Sequence, residues 1–283
     1  MKHETINVNG VDIHYVIEGS GPTILFLHGF PELWYAWKDQ LAAFGTDHQA
    51  VAPDLRGYNL SGKPIEVSAY TVQNLVGDVK GLLDHISPGK PAVLVGHDWG
   101  GITAWSFAAA LPDYLTRLVI INAPHPAILA RELANNPDQQ KAMGYTAALR
   151  SPQAEAALQA DDYKALATAL FDGAARPDAF SEEDRAMYRE AWAQPGALTG
   201  LTNYYRASGL PPAPGPLAYF PTIHVPTLVL WGEKDRALLP GNLDGLEAVV
   251  PNLKIERIPD GTHWVIHEEG PVITRAIREF IES

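Results

Sequence analysis

The chain has no cysteine among its 283 residues. Disulfides, thiolate nucleophiles and cysteine-based metal sites are therefore excluded. It also has no cationic run. Its 21 Lys and Arg are scattered, and 33 Asp and Glu leave a formal net charge of −12. Nucleic acid and anionic membranes both need clustered cations, so neither is expected as a partner. No apolar run approaches the roughly 18 residues that a membrane-spanning helix requires. The first ten residues are polar and lack the apolar segment of a secretion signal, and a cytoplasmic location is expected. Repeats and low-complexity tracts are also missing. What is present is an ordinary globular composition, 46% apolar and 19% charged. The length suffices for one large core, with or without a smaller appended module.

Ile6-Asn7-Val8, Asn9-Gly10 and the apolar stretch beginning at Val11 predict a β-hairpin, because Asn-Gly tolerates positive φ at a two-residue turn. Short apolar runs follow at 23–27, 50–52, 92–95 and 118–121. Between them, helical periodicity covers 35–44, 72–86 and 103–111. Strands without polar alternation, separated by helices, predict a parallel sheet covered on both faces. From about Pro124 the strand-like runs vanish, and Ala, Gln, Glu and Asp dominate over 153–158, 163–170 and 182–193. This predicts an all-helical insertion that ends in the Pro-rich linker 211–216. The alternation then resumes, with strands at 227–231 and 253–258 and helices at 243–250 and 272–281. A helical cap over the carboxyl edge of a parallel sheet would close a ligand pocket.

Four motifs carry chemistry. Val93-Leu94-Val95 runs into Gly96-His97-Asp98-Trp99-Gly100-Gly101 and then straight into a helix. Gly-x-Asp-x-Gly at such a corner presents a nucleophile on a strained turn, with a carboxylate where serine is usual. Alone, the same pattern also fits a tight turn with an N-capping Asp. Leu27-His28-Gly29-Phe30-Pro31 follows an earlier strand and would supply an oxyanion-hole N–H from Phe30, the second coming from Trp99. Trp231-Gly232-Glu233-Lys234-Asp235 and Asp260-Gly261-Thr262-His263-Trp264 follow the strands after the insertion. The order nucleophile, acid, histidine makes Asp98, Asp235 and His263 a candidate triad, with Glu233 a rival acid. One histidine among ten means little by itself, but the ordering of all four motifs is specific.

Aspartate at the corner selects the reaction. Serine attacking a saturated carbon would leave a stable ether. A carboxylate forms an alkyl ester that a histidine-activated water cleaves. Free aspartate has a pKa of about 3.9 and needs no base to become a nucleophile. The substrate should therefore be a small molecule with an electrophilic sp³ carbon, an epoxide or an alkyl halide. Neither a metal nor an organic cofactor is required.

His28-Gly29-Phe30-Pro31-Glu32 with Trp34 and Trp37, Asp54-Leu55-Arg56-Gly57-Tyr58, Gly96 through Gly101, Trp231 through Asp235 and His263-Trp264 together resemble the α/β-hydrolase-fold epoxide hydrolases over nearly the whole chain. The resemblance implies a mostly parallel central sheet with helices on both faces, a core of residues 1–124 and 217–283, and a helical cap over 125–216. It implies a substrate pocket lined by His28, Pro31, Trp34 and Trp264. It also implies two cap tyrosines that protonate the epoxide oxygen. Asn203-Tyr204-Tyr205-Arg206 matches one family pattern with Tyr in place of Trp and assigns Tyr205; Tyr145 followed by Pro152 matches the other. Tyr204 and Tyr188 are alternative donors. A haloalkane or haloacetate dehalogenase would use the same nucleophile, with the Trp99 indole as halide donor. Phe30 stands where haloalkane dehalogenases usually carry Asn, and Trp99, Gly100, Gly101 and Ile102 stand just after the nucleophile, where haloacetate dehalogenases typically carry arginines. A non-catalytic binding protein is the remaining alternative. The oligomeric state is not legible.

Overall fold

The computed structural model describes residues 1–209 and 220–283. The Pro-rich linker 211–216, and with it the cap boundary at 216/217, lies outside them. Eight strands form one sheet in the order β1-β2-β4-β3-β5-β6-β7-β8. They are β1 Lys2–Val8, β2 Val11–Glu18, β3 Thr23–Leu27, β4 Gln49–Pro53, β5 Ala92–His97, β6 Leu115–Ile121, β7 Thr227–Gly232 and β8 Leu253–Ile258. β1 pairs antiparallel with β2, and β2 antiparallel with β4; every other neighbour is parallel. The hairpin pairs Val8 with Val11 around Asn9 and Gly10, whose φ values are 51° and 75°. β3, β5 and β7 are buried along their whole length, as their unbroken apolar runs require.

The helices are α1 Lys38–Phe44, α2 Val72–Ile86, α3 Trp99–Ala110, α4 Pro126–Asn135, α5 Pro137–Ala142, α6 Thr146–Arg150, α7 Ala154–Ala167, α8 Glu182–Trp192, α9 Ala197–Ala207, α10 Val265–Glu268 and α11 Gly270–Ile281. Between β6 and β7 the described residues form only helices and turns. α7 consists of two helical segments joined at Ala160–Tyr163, where Asp161, Asp162 and Tyr163 adopt left-handed φ of 50°, 57° and 60°. A π-turn, Thr168–Asp172, continues it. α8 starts on a reciprocal cap, the Ser181 hydroxyl accepting from the Asp184 N–H and the Asp184 carboxylate from the Ser181 N–H.

The helix predicted over 243–250 does not form. Two short 3₁₀ turns, Pro240–Leu243 and Leu246–Ala248, flank Gly245 at φ 79°. That left-handed glycine ends the first turn and prevents a continuous helix. No helix among the described residues is long and apolar enough to cross a membrane.

Candidate active site

Asp98 occupies the corner between β5 and α3 at φ 49°, ψ −122°. This is a costly conformation for a residue with a side chain. The neighbours explain how it persists. A Cβ on Gly100 would overlap the Leu27 and His28 carbonyl oxygens, and one on Gly96 the Gly100 carbonyl. Strand and helix therefore meet at backbone contact, and the chain has no room to relax the corner. The Phe30 N–H donates to Asp98 Oδ1 at 2.6 Å. Asp98 Oδ2 lies 3.6 Å from His263 Nε2, longer than a good hydrogen bond.

His263 Nδ1 lies 2.7 Å from Asp235 Oδ2, the distance of a charge-assisted hydrogen bond. Asp235 is buried and accepts from the Ala237 and Leu238 N–H groups and from Asn122 Nδ2. Burial opposes its charge, but His263 and these donors outweigh burial and hold its pKa below the usual range. His263 shows the mirror effect. Burial disfavours the imidazolium, yet Asp235 and Asp98 together raise its pKa well above the ordinary value. Glu233, the rival acid, instead accepts from Arg257 Nη1 on the outer side of the sheet edge.

Asn122 escaped the sequence reading. Directly after β6, at φ 39°, its amide donates to Asp235 and to the Gly232 carbonyl while its oxygen accepts the Gly232 N–H. The available signal was its place at the carboxyl end of a central strand.

A cavity of about 480 Å³ opens on Asp98 and His263 and is lined also by Phe30, Pro31, Trp264, Tyr145 and Tyr205. Much of the remaining wall is alanine. Tyr205 stands edge-on to Phe30 and Trp99, with ring centroids 5.2 and 5.4 Å away. Tyr145 keeps 42% of its surface accessible and sits 6.3 Å from the Tyr205 ring, centroid to centroid. Burial, reinforced by neighbouring groups including Asp98, raises the pKa of Tyr205; the hydroxyl end of Tyr145 is shifted the same way by enclosure and by the Asp98 charge, although much of its ring surface stays accessible. Both therefore stay protonated at neutral pH. Tyr204 and Tyr188 are already engaged, Tyr204 donating to the Arg56 carbonyl and Tyr188 to Glu32 Oε1.

His28 and Trp34 are not on this cavity. His28 is fully buried; its Nδ1 donates to the Gly29 carbonyl and its Nε2 accepts the Leu55 N–H, so both nitrogens are spent on loop structure. Trp34 begins a 3₁₀ turn, packs edge-on against His3 and Tyr35, and its N–H donates to Asp54. The loop that sends Phe30 and Pro31 into the cavity turns both of these inward or away.

Behind the triad, Glu32 is buried between His97 Nδ1 (3.1 Å) and His267 Nε2 (2.6 Å). Burial would raise its pKa, but the two imidazoles overcome this and hold it low. His97 Nε2 reaches the His263 carbonyl at 2.8 Å. No group of three or more His, Asp or Glu among the described residues is arranged to hold a metal ion.

The sequence matches the alpha/beta hydrolase fold family over residues 22–270. It is 38% identical over 290 residues to the AB hydrolase superfamily protein YfhM of Bacillus subtilis (strain 168), covering 100% of this chain and 99% of that protein. It is 33% identical over 288 residues to Epoxide hydrolase 4 of Mus musculus, covering 98% of this chain and 78% of the relative. Among solved structures, an epoxide hydrolase of Bacillus megaterium in complex with an inhibitor superposes with a TM-score of 0.93 at 32% identity, over 99% of this chain and 100% of that one. An epoxide hydrolase from metagenomes of hot environments gives 0.91 at 35% identity, over 99% and 98%.

Proposed function

The chain belongs to the α/β-hydrolase-fold epoxide hydrolase family, and from that premise we propose that it opens a small-molecule epoxide to a vicinal diol through an alkyl ester on Asp98. In this reading residues 125–216 act as a cap over a core of 1–124 and 217–283. The observation that carries it is the pairing of one corner carboxylate with two protonated phenols across a single cavity. From an alkyl halide the departing halide ion is a weak base and needs no acid. Epoxide opening creates an alkoxide and does.

Asp98 attacks one ring carbon and the C–O bond breaks. Tyr205, assisted by Tyr145, passes a proton to the leaving oxygen. The attack also changes the base. Asp98 is one of two anions that raise the pKa of His263. Once esterified it carries no charge, so the imidazole becomes easier to deprotonate at the step that needs a base. His263 then takes a proton from water, which adds to the ester carbonyl. The resulting oxyanion forms at Oδ1, against the Phe30 N–H already 2.6 Å away, with the Trp99 N–H as second donor. Collapse breaks the bond from the Asp98 carboxyl carbon to the alkyl oxygen; the imidazolium returns its proton to the departing alkoxide, the proton left on the Asp98 carboxyl restores the phenol, and the diol leaves with the carboxylate regenerated. Asp235 keeps the imidazole oriented and stabilises its charge.

The test is to trap the ester. His263→Ala mixed with an aromatic epoxide should add one substrate mass to the peptide holding Asp98, while the wild type forms diol. An unmodified peptide together with no wild-type diol removes the epoxide reading. Halide release from haloalkanes or haloacetates without diol formation assigns a dehalogenase instead.

A further inference from the structure

Glu268 ends α10, the short helix that follows His263, and is buried with 4% of its surface exposed. Its carboxylate forms no ion pair among the described residues and is satisfied by three donors. Oε2 accepts the Thr262 N–H at 2.7 Å. Oε1 accepts the Thr262 hydroxyl at 2.7 Å and the Ala175 N–H at 2.6 Å. Thr262 immediately precedes His263. Ala175 belongs to the strand-free region between β6 and β7, just past the π-turn. The other flank of His263 is tied to the same place. The Trp264 indole donates to the Ala169 carbonyl at 2.9 Å, inside the π-turn, and the Trp264 N–H donates to the Thr262 hydroxyl. Both neighbours of the imidazole are thus anchored to residues 169–175, while the triad acid, Asp235, is supplied by the turn after β7.

We propose that Glu268 is a positioning residue for ester hydrolysis, transmitting the docked state of segment 169–175 to His263; the proposal rests on the roles assigned above to Asp98 and His263. The chemistry requires a carboxylate. Three donors converge on two oxygens, and every one needs a lone pair. An amide of the same shape must turn its NH₂ either on the Thr262 N–H or on the Ala175 N–H. Whichever way it rotates, it therefore loses either the Thr262 N–H, leaving the base loop held by the Thr262 hydroxyl alone, or the Ala175 N–H and with it the tie to the cap. The nucleophile is untouched, because the strained corner and the Phe30 N–H hold Asp98 independently. Alkylation and hydrolysis should respond differently.

The experiment is Glu268→Gln in the full-length enzyme, with an aromatic epoxide and rapid quenching. Ester formation should stay within about twofold of wild type. Ester hydrolysis should slow roughly ten- to hundredfold, as a base displaced by a fraction of an ångström to one ångström would give. The ester then accumulates by mass, and kcat and KM fall together while kcat/KM holds. Hydrolysis at the wild-type rate overturns the proposal. So does equal slowing of both steps, which marks general structural damage. Should Glu268→Gln fail to fold, Arg176→Ala removes a guanidinium that lies off the cavity and donates to the Glu268 carbonyl at 3.2 Å from the residue after Ala175, and the same split is expected, smaller in size; unchanged hydrolysis there overturns the proposal. A wild-type enzyme that forms neither ester nor diol would instead defeat the reading of Asp98 itself.

Discussion

Asp98 and His263 both stand just past the carboxyl ends of core strands, yet different forces hold them. Asp98 is fixed sterically, by a positive-φ corner that glycines on both sides allow strand and helix to close upon. His263 is fixed by polar contacts to Asp235, His97 and, through its neighbours, Glu268 and Ala169. A steric constraint is local and nearly rigid. A polar one is collected from distant parts of the chain and can be loosened without unfolding anything. In the mechanism proposed above, the attacking group is the sterically fixed one, and the group acting second is the one held by adjustable contacts.

Three substitutions test that contrast. The largest effect should come from Gly100→Ala. Its methyl meets two backbone carbonyls that have nowhere to go, so about 3 kcal/mol of stability should be lost along with ester formation. Urea denaturation reads the first and mass spectrometry the second. A loss below about 1 kcal/mol would show that the corner can yield.

Asp235→Asn ranks next. Stability should change little by comparison, while ester hydrolysis falls about ten-thousandfold, the order seen when a triad acid is neutralised. Removing this anion also removes the main support for the raised pKa of His263. The imidazole is then neutral to lower pH, so the residual hydrolysis should persist further into acid than in wild type. A pH profile of single-turnover hydrolysis checks the direction, and a shift toward alkaline pH would contradict it.

Tyr205→Phe should have the smallest effect and the opposite selectivity. Ring opening slows roughly a hundredfold, as for loss of a general acid, with ester hydrolysis unchanged. Equal slowing of both steps would exclude Tyr205 as the proton donor.

The same contrast governs what the sequence revealed. Steric requirements leave local marks, so Gly96, Gly100 and Gly101 around Asp98 announced the corner, and the unbroken apolar runs announced the buried strands. Asp235 and His263 were legible because each sits just past such a strand. Tyr145 and Tyr205 came from resemblance alone, since a helical segment with no strand to mark its ends offers no register. The helix over 243–250 was misread because its apolar spacing is helical while Gly245 adopts a backbone that ends it. His28 and Trp34 share a motif with Phe30 and Pro31 but face elsewhere, and a loop has no periodicity that would tell the two sets apart. Asn122 also follows a core strand, but no neighbouring motif marks an amide there as part of a site. Glu268 carries no local mark at all, because its cap partner lies far along the chain, Ala175 being 93 positions away.

The cavity wall has a property that its shape alone does not display. α7 and the π-turn present Ala154, Ala157, Ala165 and Ala169 to the lumen, and α5 and α6 add Ala142 and Ala148. Alanine is the best helix former and the smallest residue with a Cβ. Ala148, Ala157, Ala165 and Ala169 keep exposed surface, so a valine or leucine there takes up lumen, whereas Ala154, 3% exposed, is packed into the wall. The chamber is thus a mould cut at its widest setting. Side chains at those positions can narrow it one at a time while Asp98 and His263, carried by the β5–α3 corner and the turn after β8, stay as they are.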